Sequence, residues 1–286
     1  MKRLLDTVAS MLALAVMLSG LVPGLSAQEE EKKPPAPGLG AAAPPAQPTA
    51  AETAALQQIM QMRDPAQILE LVDQFLAQYP ESLYRSRVYA AAANAYRLQN
   101  KFDQAIELGE QAIEISPQDG FTMILVADSL SESARPGRDD YQDRLGRAVD
   151  YAQRALAVLP EMFRAIERRP EVPEEEYTRQ QNYIKAQPHA TLGYVHLRRR
   201  EYEEAIAELR QAVELNELRP NAADYERLGV AYMRKKDYQP AKTALERCYE
   251  IGGEGFANCK KRLAQVERLI EVERKLQERK AEQGQE

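Results

Sequence analysis

The sequence predicts an all-α fold, namely a right-handed superhelical solenoid of antiparallel helix pairs with a long C-terminal capping helix. Three observations indicate this fold. One pattern of aromatic, small and apolar residues recurs at intervals of about thirty-four residues. Short polar turns separate segments that have helical periodicity. The segment 256–282 carries apolar residues three and four apart on a charged background, as the polar-backed end of a stack requires.

The composition of the 286 residues argues against several classes of function. Only 2 His and 2 Cys are present, too few for the usual multi-histidine or multi-cysteine metal centre. The net charge of -6 argues against a dedicated nucleic-acid partner, which would favour a basic face on the protein. The sequence contains no glycine-rich phosphate loop. We therefore expect a protein that is not an enzyme and that has no metal or cofactor.

The first 27 residues have the order of a secretory signal peptide. Lys2 and Arg3 precede an apolar run over 11–22, and Ala27 is a small residue suited to cleavage. The run is shorter than the about 20 residues that an uncleaved anchor needs to span a bilayer. Cleavage after Ala27 predicts export to the periplasm or cell envelope, with no membrane span in the mature chain. Gln28 stands where a lipid-anchored protein would have Cys. Residues 28–52, rich in Pro and Ala, predict a disordered linker.

Three segments of the chain share one spacing of residues. In each, a first helix is centred on a small residue and a second helix repeats small and apolar residues. The matching residues are Tyr89, Ala92, Ala93, Tyr96, Ala105 and Ala112; His189, Leu192, Gly193, His196, Tyr202, Ala205, Leu209 and Ala212; and Tyr225, Leu228, Gly229, Tyr232, Tyr238, Ala241, Leu245 and Cys248. The pattern resembles the tetratricopeptide repeat, in which small residues let two helices approach closely and neighbouring units stack.

The resemblance covers about 53–255. The predicted units lie at about 53–80, 86–119, 120–160, 186–219 and 222–255, followed by a capping helix and tail over 256–286. The dipeptide Pro136-Gly137 indicates a loop insertion near 133–141, and Pro170 and Pro173 interrupt a second insertion near 161–185. Pro160 is expected at the end of the third unit, and Pro188 at or near a helix start or at a kink.

The resemblance implies that the first helices of the units line a concave groove in which a partner binds. The family's ligand positions correspond to Arg87, Asn94 and Arg97, to Phe121, Ile124, Asp128 and Glu132, to Tyr194, Leu197 and Arg198, and to Glu226, Met233 and Arg234. This mixture of aromatic, Arg and Met side chains suits a peptide or helix of another protein. A merely solvated face is the alternative. Asn94 also matches the family's carboxylate clamp, but Ala90 and Leu125 replace two other clamp residues, so cytosolic chaperone tails are not expected partners.

The two cysteines, Cys248 and Cys259, occupy positions that face each other in helix pairs of this family. The resemblance therefore implies either a disulfide, which export would favour, or two packed thiols. In both cases the expected role is structural.

These observations predict a non-catalytic scaffold of the periplasm or cell envelope that binds a peptide or helix of an exported protein in its groove. Two alternatives stay open. One is a chaperone-like factor for envelope or outer-membrane assembly that has several exported clients. The other is a self-associating structural protein that pairs through the segment 256–282.

Overall fold

The computed structural model describes residues 47–166, 168–216 and 218–283. In these residues every regular element is a helix, which confirms the predicted all-α fold. The predicted signal peptide, 1–27, and most of the predicted linker lie outside the described residues. No described helix is both long enough and apolar enough to cross a membrane.

The helices follow one another with short connections. They are α1 (Ala50–Gln61), α2 (Pro65–Gln78), α3 (Arg85–Leu98), α4 (Phe102–Ile115), α5 (Gly120–Ser133), α6 (Tyr141–Ala165), α7 (Glu174–Arg199), α8 (Tyr202–Leu215), α9 (Ala222–Lys235), α10 (Tyr238–Gly252), a 3-10 turn (Gly253–Phe256) and α11 (Ala257–Gln283). Helices adjacent in the sequence pack as pairs, most closely α3 with α4, α5 with α6, α7 with α8 and α9 with α10.

The described residues divide into two compact units, the first ending at residue 116 and the second beginning at residue 117. In the first unit, α1 to α3 bury one apolar cluster that includes Ile59, Val72, Phe75 and Val88. The alanine run of α3 is buried in full over 91–95, so its neighbours approach its backbone closely. In the second unit α7 contacts α5 and α9, and α11 closes the stack against α10.

The first helix begins at Ala50, inside the segment predicted as linker. The reason is a capping box: the Thr49 hydroxyl accepts a hydrogen bond from the Glu52 backbone N–H at 3.1 Å, and the Glu52 carboxylate accepts one from the Thr49 N–H. Two N–H groups that lack helical partners are thereby satisfied. Thr-x-x-Glu is a local sequence signal for the start of a helix. This signal could have predicted that the linker ends at residue 48.

Two prolines lie inside helices: Pro160, which was expected at the end of the third unit, and Pro188, for which a kink was one of the expected positions. Helix α6 continues past Pro160 to Ala165, and α7 runs from Glu174 through Pro188 to Arg199. The insertion predicted near 161–185 is therefore largely helical, and the first helix of the unit predicted at 186–219 begins twelve residues earlier, at Glu174. Each proline removes one helical hydrogen bond. Burial of apolar side chains around them offsets that loss; these are Leu159, Phe163, Tyr183, Ile184 and Ala186.

Two glycines mark where paired helices approach most closely. A Cβ atom on Gly193 of α7 would lie 2.5 Å from Leu209 Cγ of α8. A Cβ atom on Gly229 of α9 would lie 2.6 Å from Leu245 Cγ of α10. Both leucines are fully buried. The side chain of each second helix therefore occupies the space that glycine leaves on the first.

Helix α11 is fixed to the stack by one covalent and several noncovalent contacts. A disulfide joins Cys248 of α10 to Cys259 of α11, with the two Cα atoms 6.1 Å apart, and both residues are fully buried. Val266 is buried between α10 and α11. Arg262 Nε donates to Glu226 of α9 at 3.2 Å.

We expect the Cys248–Cys259 bond to survive isolation without reductant, because neither sulfur is exposed, and to resist alkylation, because a disulfide has no free thiol. The intact mass should lie about two protons below that of the reduced chain. The Cys248→Ser/Cys259→Ser variant should lose protection of α11 against proteolysis before the rest of the second unit, because the bond tethers α11 to α10. Alkylation of both thiols in unreduced, folded protein would contradict the pairing.

Candidate protein-binding face

The surface formed by α5, α7 and α9 carries ten of the thirteen residues predicted for the groove. We call it the first-helix face, since these helices come first in their pairs. Phe121 and Asp128 lie on α5, Tyr194 and Arg198 on α7, and Met233 and Arg234 on α9. Because α7 contacts both other helices, the face is continuous. It lies within the second unit.

Tyr194 occupies the middle of the first-helix face. The Arg227 guanidinium carbon lies 4.0 Å from the centre of the Tyr194 ring, and that of Arg198 lies 5.2 Å away. Both distances are within the range of cation–π attraction. The ring is half-buried. Tyr194 is thus a structural contact of the face, so the sequence-based expectation of an accessible groove residue holds only for part of its surface.

Arg198 connects α7 to the end of α5. Its guanidinium donates to the Ser131 carbonyl at 3.1 Å and to the Ala134 carbonyl, and it lies 5.4 Å from the Tyr141 ring. Ala134 and Ser131 are buried. The last carbonyls of a helix lack partners within the helix, and Arg198 satisfies them. It also anchors the start of the loop between α5 and α6. The guanidinium of Arg198 is therefore already engaged in hydrogen bonds within the protein.

Arg227 of α9 crosses the first-helix face to reach α5. It donates to Glu132 of α5 at 2.7 Å and lies 3.5 Å from the Asp224 carboxylate one turn earlier. Asp224 is buried, with its side chain 5% exposed, whereas Arg227 is 23% exposed. Glu132 was predicted as a groove residue, but Asp224 and Arg227 were missed. Their signal in the sequence is the opposite charges three residues apart.

Arg227 brings one positive charge to a site that has three carboxylates nearby, those of Asp128, Glu132 and Asp224. Burial raises the pKa of Asp224 above its ordinary value; Arg227 opposes that rise, while Asp128 and Glu132 add to it. Burial also acts to lower the pKa of Arg227, but the carboxylates of Asp224 and Glu132 outweigh it and raise the pKa above its ordinary value. The guanidinium is therefore a permanent charge that holds three surrounding carboxylates together.

The remaining predicted residues of the face differ in accessibility. Arg234 is exposed at the end of α9, and Phe121 is half-buried at the start of α5. Met233 packs against the cluster of Leu245 and Val266, so it belongs partly to the core beside α11. The physical reason is that α11 covers this side of α9.

Three predicted groove residues belong to the first unit. Arg87 is exposed on α3, with its guanidinium 5.8 Å from the centre of the Tyr84 ring. Arg97 is half-buried in the last turn of α3. Asn94 is only 4% exposed among buried alanines, so its side chain is not offered to a partner. Because the side chains of α3 are small, the neighbouring helices pack closely against it and bury Asn94.

The described residues contain no cluster of three or more His, Cys, Asp or Glu that could hold a metal ion. His189 Nδ1 lies 2.6 Å from a Glu208 oxygen, and His196 Nδ1 lies 2.6 Å from a Glu201 oxygen. Each histidine thus contacts a glutamate across the α7–α8 pair.

The repeats match a known family at three of the four closely packed helix pairs. Models of the tetratricopeptide repeat match residues 86–119, 186–217 and 225–251. These segments contain the α3–α4, α7–α8 and α9–α10 pairs. The chain contains tetratricopeptide repeats in these three segments.

The chain also resembles solved tetratricopeptide structures. The thermophilic tetratricopeptide protein TTC0263 of Thermus thermophilus aligns with a TM-score of 0.51 and 16% identity, over 75% of this chain and 98% of its own. YrrB, described as a tetratricopeptide protein with an unusual peptide-binding site, aligns with a TM-score of 0.48 and 15% identity, over 72% of this chain and 87% of its own. No curated protein sequence matches the chain.

Tetratricopeptide repeats serve as scaffolds for protein–protein interaction. Two of the three matched segments, 186–217 and 225–251, contribute α7 and α9 to the face. Its Tyr194, Arg198 and Arg227 are of the residue types enriched where interfaces concentrate their binding energy.

Proposed function

We propose that this chain is a non-catalytic interaction scaffold that holds a peptide or helix of another protein on its first-helix face. The observation that carries the proposal is the cluster of Tyr194, Arg198, Arg227 and Glu132 on α5, α7 and α9. These side chains are held in place by their mutual contacts and are still partly open to solvent. A pre-ordered surface loses little side-chain entropy when a partner binds.

The side chains of this cluster stabilise the fold. Contact with a partner therefore falls mainly on the residues of the face that lie outside the cluster. Phe121 and Arg234 lie at opposite ends of the face and have more freedom to contact a ligand. An extended segment that runs along the face would place an apolar residue near Phe121 and an acidic residue near Arg234. Such a segment would cross the three first helices, which is one of the ways in which helical grooves bind peptides.

The proposal places this scaffold in the periplasm or cell envelope and its partner among exported proteins. Its support is the order of basic, apolar and small residues over 1–27. N-terminal sequencing of the protein purified from the envelope fraction tests this location. The sequence should begin at Gln28.

The binding test compares two variants of the chain as bait in envelope extract. We expect Phe121→Ala/Arg234→Glu to capture at least about tenfold less partner than the wild type, since an interface residue of this kind contributes about 1 kcal/mol or more. The control is Arg210→Glu, a charge change at an exposed residue of α8, away from the face. Equal capture by the wild type and the face variant, or equal loss in the control, would contradict the assignment of the face.

A further inference from the structure

The outer side of α11 has a charge pattern that binding on the first-helix face does not explain. The inner side of this helix carries Cys259, Val266 and Ile270, which pack on the stack. At 3.6 residues per turn, the opposite side is centred near Val272. It carries cationic and apolar side chains that are open to solvent in full or in part, which we call the cationic face: Lys261, Arg268, Leu269, Val272, Lys275, Leu276 and Arg279.

The cationic face excludes acidic residues. Between residues 261 and 280, each of the four glutamates lies about 100° or more around the helix from Val272. Seven basic residues accompany these four acids, giving the stretch a net charge of +3 in a chain of net charge -6. The acids line the edges of the face, where Glu271 pairs with Arg274 at 2.7 Å and with Lys275 at 3.2 Å.

Exposed apolar side chains lie among these cations. Val272 is 53% exposed and Leu276 is 51% exposed, and among the described residues Leu83 is the one other large apolar side chain that is more than half exposed. Leu269 lies half-buried beside them. The Lys and Arg stems add further apolar surface, because long cationic side chains can lie along a nonpolar boundary while their charge stays in water.

We propose that the cationic face of α11 binds an anionic lipid surface. Basic and apolar side chains segregated on one side of a helix match the boundary between lipid headgroups and acyl chains. The charges would attract anionic headgroups, while Val272 and Leu276 enter the boundary region. A partner helix is the poorer match, because the seam of Leu269, Val272 and Leu276 is shorter than the three to four heptads that helix pairing needs.

The affinity of the cationic face depends on the number of charges. Each Lys or Arg near an anionic surface changes the binding constant by about fivefold, so the loss of three should change it by about 100-fold. Added salt should reduce binding, because the charges are exposed and the Debye length falls from about 10 Å at 0.1 M salt to about 3 Å at 1 M.

The test measures partition of the full chain onto vesicles of 70% phosphatidylcholine and 30% phosphatidylglycerol, and onto vesicles of phosphatidylcholine alone. We expect the Lys261→Gln/Arg268→Gln/Arg279→Gln variant to bind the anionic vesicles about 100-fold more weakly than the wild type. The control Lys101→Gln/Arg164→Gln/Arg210→Gln removes the same charge from exposed sites outside α11 and should change binding less than threefold. The apolar run over 11–22 is common to all variants, so their differences report α11.

A second variant measures the apolar contribution to vesicle binding while all charges of the cationic face are kept. Val272→Ser/Leu276→Ser should weaken binding several-fold and leave the melting temperature unchanged, because both side chains are exposed. Equal binding of wild type to neutral and anionic vesicles would overturn the proposal, as would equal loss in the charge control. Wild type that binds polyglutamate but not anionic vesicles would also overturn it and indicate an acidic protein as the partner.

Discussion

Replacing Gly193 with alanine should destabilise the second unit by about 3 kcal/mol, although alanine is the better helix former. The added Cβ would lie 2.5 Å from Leu209 Cγ and 3.0 Å from the Leu209 backbone nitrogen. A rotamer change of Leu209 relieves only the first contact. The second requires α8 to move away from α7, and that movement opens space around the buried Ala205 and Ala212.

The matched control is Gly146→Ala in α6. Gly146 is also in a helix interior, but a Cβ there meets nothing closer than the Arg199 guanidinium at 3.9 Å. We expect this variant to be more stable by about 0.5–1 kcal/mol, because alanine loses less backbone entropy on folding. Urea unfolding followed by circular dichroism measures both variants. If the two glycines tolerate alanine equally, the α7–α8 pair is not as tightly packed as the structure has it.

Replacing Arg227 with methionine should cost about 3–5 kcal/mol at neutral pH. The variant keeps much of the volume but leaves the buried Asp224 carboxylate beside Asp128 and Glu132 without a positive charge. It also removes the contact with the Tyr194 ring. Arg210→Met is the control, since the exposed Arg210–Glu214 pair should contribute less than about 1 kcal/mol.

The pH dependence of Arg227→Met gives an independent check. The pKa of Asp224 is already raised in the folded protein, and loss of Arg227 removes the main interaction that lowers it. The folded state then holds a proton more tightly than the unfolded state. Stability of the variant relative to wild type should therefore increase as pH falls from 7 through the raised pKa toward 3.8, and decrease as pH rises again.

Arg227→Met/Asp224→Asn should recover much of the lost stability at pH 7, because the double variant buries no unpaired carboxylate at position 224. Thermal melts of the single and double variants between pH 4 and 8 make the comparison. A single variant whose stability relative to wild type does not change with pH would show that Asp224 remains charged and hydrated. The cluster would then not be the rigid centre of the first-helix face.

The helix pairs could be predicted from the sequence because their causes are local. Small residues at fixed spacing, such as Gly193 and Gly229, report where one helix accepts a leucine of the next. The Pro136-Gly137 dipeptide likewise marks the loop between α5 and α6, which the structure has over 134–140. Pro160 lies inside α6 and not at the end of a unit, because a local proline rule does not register the burial of Phe163 beside it.

The charge cluster could be predicted only in part. Repeat positions identify Glu132 and Tyr194 as residues of the first helices. They do not show that Arg227 reaches across α7 to α5, because that contact depends on how three successive first helices stack. For the same reason, position in the repeat did not reveal that the Arg198 guanidinium donates hydrogen bonds to backbone carbonyls.

The most direct test of the account is photocrosslinking from single positions of the second unit. A benzophenone amino acid at position 234, on the first-helix face, is compared with the same group at position 210, on α8. Both positions are exposed. A partner in envelope extract should crosslink through position 234, and Phe121→Ala should reduce the yield. Position 210 should give little product. Strong crosslinking from 210 and none from 234 would contradict the claim that the first-helix face binds the partner.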